Sequence, residues 1–277
     1  MSLLRQIAPA SAFALVLAAA CARKAPPAGG ANVVTITATN YAFAAPDTIP
    51  AGLTTLRLVN HGQEAHHAVV IRIAAGTPQS SVDSALRTEG PIPPWMSFGA
   101  GPGAVIPGDS SNATSVLEAG HYLLVCFISS PDGVPHVAKG MMRPLEVVGS
   151  AAAPAAEPVA DVDITLSEYA FKLSRPLTAG THTIRVENAG SQMHEVVIER
   201  LAEGRSLADF LSRAQRGMQG PPPSTFVGGV TGPDAGKRGY TTVTLTPGRY
   251  LLLCYVPDAK DGKPHFAHGM ALEVTVS

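Results

Sequence analysis

The chain has 277 residues, of which 45% are apolar and only 15% are charged, enough apolar material for one large or two ordinary domain cores. Its 27 glycines and 24 prolines exclude a helical bundle and are typical of short strands joined by turns. The formal net charge of −1 gives no electrostatic reason to expect nucleic acid or an anionic membrane surface as a partner.

The first segment, residues 1–20, has the features of a signal peptide. One arginine precedes the apolar run SAFALVLAAA, which is too short to span a membrane. Ala18-Ala19-Ala20-Cys21 resembles the cleavage box of bacterial lipoproteins, in which the cysteine is lipidated. We therefore expect an exported protein in the periplasm or at the cell surface, anchored to the membrane only by lipid on Cys21. Plain cleavage after Ala20, with a free Cys21, is the alternative.

The rest of the chain is mainly two copies of one unit, offset by 128 residues. The run from Gly120 to Cys126 reappears between Gly248 and Cys254. Further matched positions are Tyr41 and Tyr169, Asn60 and Asn188, and His66 and His194. A copy of this length is a whole domain rather than a solenoid unit.

The repeat also defines the domain boundaries. A tether at 21–31 precedes a first domain at 32–148, and an Ala/Pro-rich linker at 149–160 leads to a second domain at 161–277. Neither connecting segment has the periodicity of a strand or a helix.

Within each copy, apolar and polar residues mostly alternate, which indicates strands. Leu56 and Leu58 fall on one face of such a segment, and Ile184 and Val186 repeat the pattern in the second copy. The sequence therefore predicts an all-β fold of two tandem sandwiches built from short strands.

One short helix is expected in each copy. Ser206 to Asp209 has the form of a capping box, which predicts a helix that ends near Arg216. Residues 80–87 predict a weaker counterpart in the first copy. The Pro/Gly-rich segments that follow, 91–108 and 220–236, are predicted to be loops.

The number and positions of the cysteines limit the roles that their thiols can have. Apart from Cys21, each copy has one cysteine, Cys126 or Cys254, at equivalent positions. Equivalent points of two separate sandwiches are poorly placed for the Cα spacing that a disulfide requires. A thiol that stays unpaired in an exported protein is usually a nucleophile or a metal ligand.

Histidine and methionine follow each cysteine at similar spacing, and a histidine also begins an apolar strand upstream. The two sets are His66, Cys126, His136 and Met141 in the first copy, and His194, Cys254, His265 and Met270 in the second. Two imidazoles, a thiolate and a thioether favour copper over hard cations. Zinc is a weaker alternative, because the Cys-x-x-Cys spacing of structural zinc sites is absent.

This pattern is similar to that of the cupredoxin family. The ligand loop at 126–141, with its Pro, Gly, Val-Pro, His and Gly-Met, most resembles the type 1 copper domain of copper nitrite reductase. The resemblance implies Greek-key sandwiches with one type 1 copper site in each domain, and therefore up to two copper ions. It also implies that the eight residues named above are the ligands, with the methionine tuning the reduction potential.

Two departures separate the chain from the copper enzymes that share this pattern. Val125 and Leu253 precede the cysteines, where nitrite reductases have a histidine, and the chain has no His-x-His pair. We therefore expect a protein that is not an enzyme and that exchanges single electrons with an unidentified redox partner protein. The alternatives are a periplasmic copper storage or delivery protein and a metal-free scaffold or adhesion module.

Overall fold

The structure is a computed structural model that describes residues 30–87, 92–149 and 155–277. The predicted signal peptide, the lipidation site Cys21, most of the tether and part of the linker lie outside the described residues, so those interpretations stay predictions. Among the described residues, no helix has both the length and the apolar character needed to cross a membrane.

The described residues of the first copy are mainly strand, as the alternation of apolar and polar residues predicts. The strands are β1 (Asn32–Thr39), β2 (Ala42–Ala44), β3 (Thr48–Pro50), β4 (Gly52–Asn60), β5 (Val69–Ile73), β6 (Met96–Gly99), β7 (Gly101–Pro102), β8 (Ser110–Leu117), β9 (Gly120–Val125) and β10 (Met142–Val148).

The second copy repeats this order with few changes. Its strands are β11 (Val162–Ser167), β12 (Ala170–Leu173), β13 (Gly180–Asn188), β14 (Val196–Leu201), β15 (Ser224–Thr231), β16 (Arg238–Leu245), β17 (Gly248–Leu253) and β18 (Ala271–Val276). A short 3₁₀ turn precedes the last strand of each copy, at His136–Lys139 and His265–His268.

The described strands form one sheet that runs through both copies and two smaller sheets. The shared sheet has the order β12-β11-β13-β16-β8-β4-β1-β2, and β16 and β8 join the copies where Tyr240 pairs with Thr114. The smaller sheets have the orders β3-β10-β9-β5-β6 and β18-β17-β14-β15-β7. Strands β1 and β4 are parallel, as are β11 and β13, so the sheets are not simple meanders.

The core of the first copy lies between the shared sheet and its own smaller sheet. Leu56 and Leu58 of β4 belong to the same buried cluster as Val70 of β5 and Leu124 of β9. In the second copy, Ile184, Val186, Ile198 and Leu252 occupy the corresponding places. Both copies are therefore β-sandwiches, which confirms the predicted fold class.

A helix covers the outer face of each smaller sheet. Helix α1 spans Gln79–Arg87 and helix α2 spans Leu207–Gln215, so one helical insertion per copy is confirmed. Ser206 caps α2: its hydroxyl accepts from the Asp209 N–H, and the Asp209 carboxylate accepts from the Ser206 N–H at 2.9 Å. Phe210 of α2 is buried against the sheet. Burial of a phenyl ring stabilises the folded state by about 2 kcal/mol.

The predicted loops at 91–108 and 220–236 are only partly loops, because β6, β7 and β15 lie within them. At Gly101, an added Cβ would lie 2.1 Å from the carbonyl oxygen of Ala68, so this glycine permits close strand approach rather than a turn. Pro102 is tolerated because β7 is an edge strand. Strand β7 of the first copy pairs with β15 and thereby extends the sheet of the second copy.

Candidate metal centres

Strand pairing brings the upstream histidine and the cysteine of each copy together. His66 lies three residues before β5, and Cys126 directly follows β9. Because Val69 pairs with Val125 in these antiparallel strands, both residues lie at the same end of the sheet. In the second copy, pairing of β14 with β17 places His194 beside Cys254 in the same way.

The loop after each cysteine folds back on itself and returns the downstream histidine to the cysteine. In the first copy, Ser129 and Pro135 form a β-bridge and the N–H of His136 donates to the Ile128 carbonyl at 2.8 Å. In the second copy, Pro257 bridges to Pro264, and the N–H of His265 donates to the Val256 carbonyl at 2.9 Å. Loops with nine and ten intervening residues are thereby closed as hairpins.

Three predicted ligands of the first copy converge on one point. The Nδ1 atoms of His66 and His136 are 3.1 Å apart, and the Sγ atom of Cys126 lies 3.9 Å from the first and 3.3 Å from the second. All three residues are fully buried. The structure therefore brings these three predicted ligands together.

The second copy has the same arrangement. The Nδ1 atoms of His194 and His265 are 2.9 Å apart, and Cys254 Sγ lies 3.4 Å from the His265 Nδ1. The backbone N–H of Glu195 donates to Cys254 Sγ at 3.4 Å, and such a bond stabilises a thiolate. In each cluster, all three donor atoms lie within 4.8 Å of one another.

These separations fit one metal ion per cluster. Zinc bonds of about 2.0 Å to nitrogen and about 2.3 Å to sulfur show the scale of first-row metal bonds. The donor pairs measured above are 2.9 to 3.9 Å apart, less than twice either bond length. The donors are two imidazoles and one thiol, a set that suits copper. The two clusters therefore fit type 1 copper, with up to two sites.

The methionines lie beside the clusters in both copies. The N–H groups of Cys126 and Cys254 donate to the carbonyls of Met141 and Met270, each at 3.2 Å. Both methionine side chains are fully buried in the same cores as the cysteines. This backbone contact places each methionine next to its cluster, and its thioether as a fourth donor stays a prediction.

Burial controls the protonation of the cluster residues. It raises the pKa of the Cys126 thiol to about 12 and raises that of Cys254 still further. Burial, reinforced by the charge of the neighbouring imidazole, lowers the pKa of His66 and of His265 to about 4. Without a bound cation, the neutral imidazoles of His66 and His265 therefore each face a protonated thiol, and a metal ion would displace the thiol proton.

The Asn-x-Gly turn before each upstream histidine has a defined role. Asn60 donates to the carbonyls of Glu64 and Val105, at 2.8 and 3.0 Å, and accepts from the Gly62 N–H at 2.8 Å. An added Cβ on Gly62 would lie 2.7 Å from the Nε2 of His66, so only glycine leaves room for this imidazole. The corresponding Gly190 and His194 show the same separation, 2.7 Å.

Sequence reasoning missed the groups that contact the outer imidazole nitrogens. Glu64 Oε2 lies 2.8 Å from His136 Nε2, and Tyr41 donates to Glu64 Oε1 at 2.8 Å. Burial raises the pKa of Glu64, but the hydrogen bonds from His136 and Tyr41 outweigh it and lower that pKa. The recurrence of Tyr41 as Tyr169 was the available signal for this contact.

The second copy places carboxylates near both imidazoles. Asp258 Oδ2 lies 3.8 Å from His265 Nε2, and Glu168 Oε1 lies 3.6 Å from His194 Nε2. Hydrogen bonds, first of all from the Ser191 backbone, lower the pKa of Glu168 to about 2. Both carboxylates therefore carry negative charge toward the cluster at neutral pH.

Sequence comparisons give no assignment. No family model matches the chain. No curated protein matches it either.

Solved structures similar to this one are copper proteins of several kinds. They include auracyanin from Roseiflexus castenholzii (24% identity over 42% of this chain and 94% of that chain, TM-score 0.29) and a blue copper oxidase from Nitrosomonas europaea (15%, 88% and 84%, 0.23). A third is the copper-containing nitrite reductase of Thermus scotoductus (11%, 88% and 61%, 0.23).

One expectation needs correction. The sequence predicted a protein that is not an enzyme, yet a blue copper oxidase and a copper nitrite reductase are among the similar structures. The prediction that the protein is not an enzyme is therefore wrong.

The sheet topology and the two sets of donor side chains lead to the same conclusion about the architecture. The chain consists of cupredoxin-like β-sandwiches, with two buried His-Cys-His clusters suited to type 1 copper.

Proposed function

We propose that this chain is an exported two-site copper protein that transfers single electrons. The observation that carries the proposal is the recurrence of one buried His-Cys-His cluster at equivalent places of two sandwiches. In this proposal the domains are 32–148 and 161–277, and the ligands are those predicted. They are His66, Cys126, His136 and Met141, then His194, Cys254, His265 and Met270.

The protein's contribution is to hold these donors in one arrangement. A bound copper ion would supply the one-electron Cu(I)/Cu(II) couple. The cysteine would give up its proton and bind as a thiolate, and the two imidazoles would present Nδ1 lone pairs toward the same point. Complete burial of all three side chains excludes water from the donor atoms.

Rigidity favours electron transfer over copper delivery. The upstream histidine and the cysteine are fixed by paired strands, and the downstream histidine by a closed hairpin loop. A site held this way keeps its geometry when the metal changes oxidation state, whereas a delivery site must open to release the ion. The proposal also includes lipid anchoring at Cys21, a periplasmic or cell-surface location, and a separate redox partner protein.

Copper content and colour test the proposal. The mature protein loaded with copper should hold two ions and show an intense visible band from thiolate-to-copper charge transfer. Cys126→Ser and Cys254→Ser should each remove one copper ion and its share of the visible band, and the double variant should be colourless. A colourless wild-type protein in the presence of copper would exclude type 1 sites.

A second measurement separates transfer from storage. Electron transfer predicts a reversible one-electron wave with copper retained through repeated cycles. Rapid loss of Cu(I) to a modest chelator after reduction would instead support the storage or delivery alternative. Membrane sedimentation of the wild type, compared with Cys21→Ala, tests the anchor independently of both.

A further inference from the structure

The downstream histidine of the first cluster is held by a tyrosine and a carboxylate. Glu64 accepts from His136 Nε2 through one oxygen and from the Tyr41 hydroxyl through the other, both at 2.8 Å. The Tyr41 ring stands edge-on to the His136 ring, with centroids 5.3 Å apart. Ser130 completes this group, because its hydroxyl lies 3.3 Å from that of Tyr41.

The second cluster has the same group, with the tyrosine at the matched position and the carboxylate at a different one. Tyr169 stands edge-on to His265, again with centroids 5.3 Å apart, and donates to Asp258 Oδ2 at 2.5 Å. Gln192 also donates to this oxygen, at 3.0 Å. A carboxylate therefore lies beside the same imidazole nitrogen, at 3.8 Å instead of 2.8 Å.

The repeat offset shows that the two carboxylates exchange places in the sequence. Position 64 corresponds to position 192, and position 130 corresponds to position 258. The first copy has Glu64 with Ser130, whereas the second copy has Gln192 with Asp258. Each copy thus keeps one carboxylate and one neutral partner in this pair, although the residue that supplies the carboxylate differs.

Backbone conformation gives independent support. Tyr41 and Tyr169 have φ values of 60° and 43°, in the left-handed region that bulky residues rarely adopt. Such a conformation is unfavourable for a tyrosine and persists where the surrounding structure enforces it. In both copies this conformation places the phenol against the carboxylate that faces the histidine.

We propose that this tyrosine-carboxylate pair is a positioning unit that sets the copper(II) affinity and reduction potential of its site through the downstream histidine. The inference rests on the proposed copper function. A carboxylate on Nε2 keeps the proton there, leaves the Nδ1 lone pair free for the metal, and makes the imidazole more basic. A more basic ligand stabilises copper(II) over copper(I) and therefore lowers the potential.

The different distances predict unequal effects. Glu64 is in direct hydrogen-bond contact with His136, so Glu64→Gln should lower copper(II) affinity at the first site by about 10- to 100-fold. With copper(I) affinity unchanged, each tenfold loss raises that site's potential by about 59 mV. Asp258→Asn should change the second site in the same direction by a smaller factor, because its contact is 3.8 Å.

Relocating the carboxylate gives the decisive test. The double variant Glu64→Gln/Ser130→Asp gives the first copy the arrangement of the second, and it should recover part of the lost copper(II) affinity and lower the potential again. Ser130→Asp alone is the matched control for the added charge. Each variant is titrated with copper(II) and examined by voltammetry, in a Cys254→Ser background that isolates the first site.

The outcomes distinguish the two proposals. If Glu64→Gln binds copper with unchanged affinity and potential, or if the relocated carboxylate restores neither, the positioning role is wrong while copper binding stands. If the Cys254→Ser parent itself binds no copper at the first site, the proposed function fails there. Thermal unfolding of the metal-free variants detects misfolding, and a Glu64→Asp variant, which keeps the charge, should then retain the low potential.

Discussion

The two copies differ least at their His-Cys-His clusters and most in the side chains between each smaller sheet and the helix that covers it. The Asn-x-Gly turn, the paired strands and the closed ligand loop recur with nearly equal distances. Behind the cysteine-bearing strand, the first copy has Ile71 and Met96 in an apolar cluster, and the neighbouring Phe127 is exposed. The second copy has Glu199, Ser224 and Tyr255 at the matched positions.

This contrast shows which contacts the donor arrangement depends on. Exchange of three apolar side chains for a hydrogen-bonded carboxyl, hydroxyl and phenol leaves the Nδ1 atoms 3.1 and 2.9 Å apart in the two copies. The geometry of each cluster therefore depends on its turn, strand register and loop, and only weakly on the packing behind the sheet. Three predictions test that conclusion.

The largest effect is expected at the glycine of each Asn-x-Gly turn. A methyl group in Gly62→Ala would meet the buried His66 imidazole at 2.7 Å, and in Gly190→Ala it would meet both His194 Nε2 at 2.7 Å and Glu168 Oε1 at 2.8 Å. Each substitution should displace its imidazole and lower copper affinity at that site by about 10- to 100-fold. The second copy should lose more, because the side chains of both His194 and Glu168 must move.

Competition with a chelator, followed by the visible band of each site, measures these affinities. Gly30→Ala is a suitable control, since an added Cβ there meets nothing within 4 Å. Equal loss at both sites from one substitution would show that the clusters are coupled rather than independent. Unchanged affinity in both variants would contradict the role assigned to the turn.

Much of this architecture follows from sequence reasoning, because it depends on local patterns and on the repeat. Alternation identified the core strands, the Ser206 capping box identified helix α2, and the repeat grouped three ligands per cluster. Strand β7 was missed because it has only two residues, and these pair with a strand of the other copy, a tertiary contact that no local pattern reveals. Glu64 and Asp258 were missed because they occupy unmatched positions, so the offset that revealed the ligands concealed them.

The polar group behind the second site should affect folding stability more than copper binding. The Glu199 carboxyl is 3% exposed and accepts from Ser224 at 2.5 Å and from Tyr255 at 2.6 Å. Glu199→Ile would leave the buried Ser224 hydroxyl and the partly buried Tyr255 hydroxyl without their acceptor, at a cost of about 1–3 kcal/mol in the free energy of unfolding. Copper affinity at the second site should change little.

The first copy supplies the compensated variant. Glu199→Ile, Ser224→Met and Tyr255→Phe together install its apolar residues and remove every unpaired group, so most of the lost stability should return. Chemical denaturation of the metal-free single and triple variants measures both values. A triple variant that is less stable than the single one would mean that the two copies are packed too differently for their outer cores to be exchanged.

The smallest expected effect is a pH dependence that only the second copy should show. Burial raises the pKa of Glu199, although hydrogen bonds from Ser224 and Tyr255 and the charge of Arg213 oppose this shift. The folded state therefore holds the Glu199 proton more tightly than the unfolded chain does, so this group's contribution to stability falls as pH rises above 4.5, the ordinary value.

Glu199→Gln cannot titrate, and its stability relative to the wild type should increase from mildly acidic to mildly alkaline pH. Ile71→Gln, at the matched apolar position of the first copy, should produce no such trend. Because carboxylates with lowered pKa values, such as Glu168, produce the opposite trend at acid pH in all three proteins, the difference between variant and wild type isolates Glu199. A pH-independent difference would mean that Glu199 keeps the same charge in the folded and unfolded states.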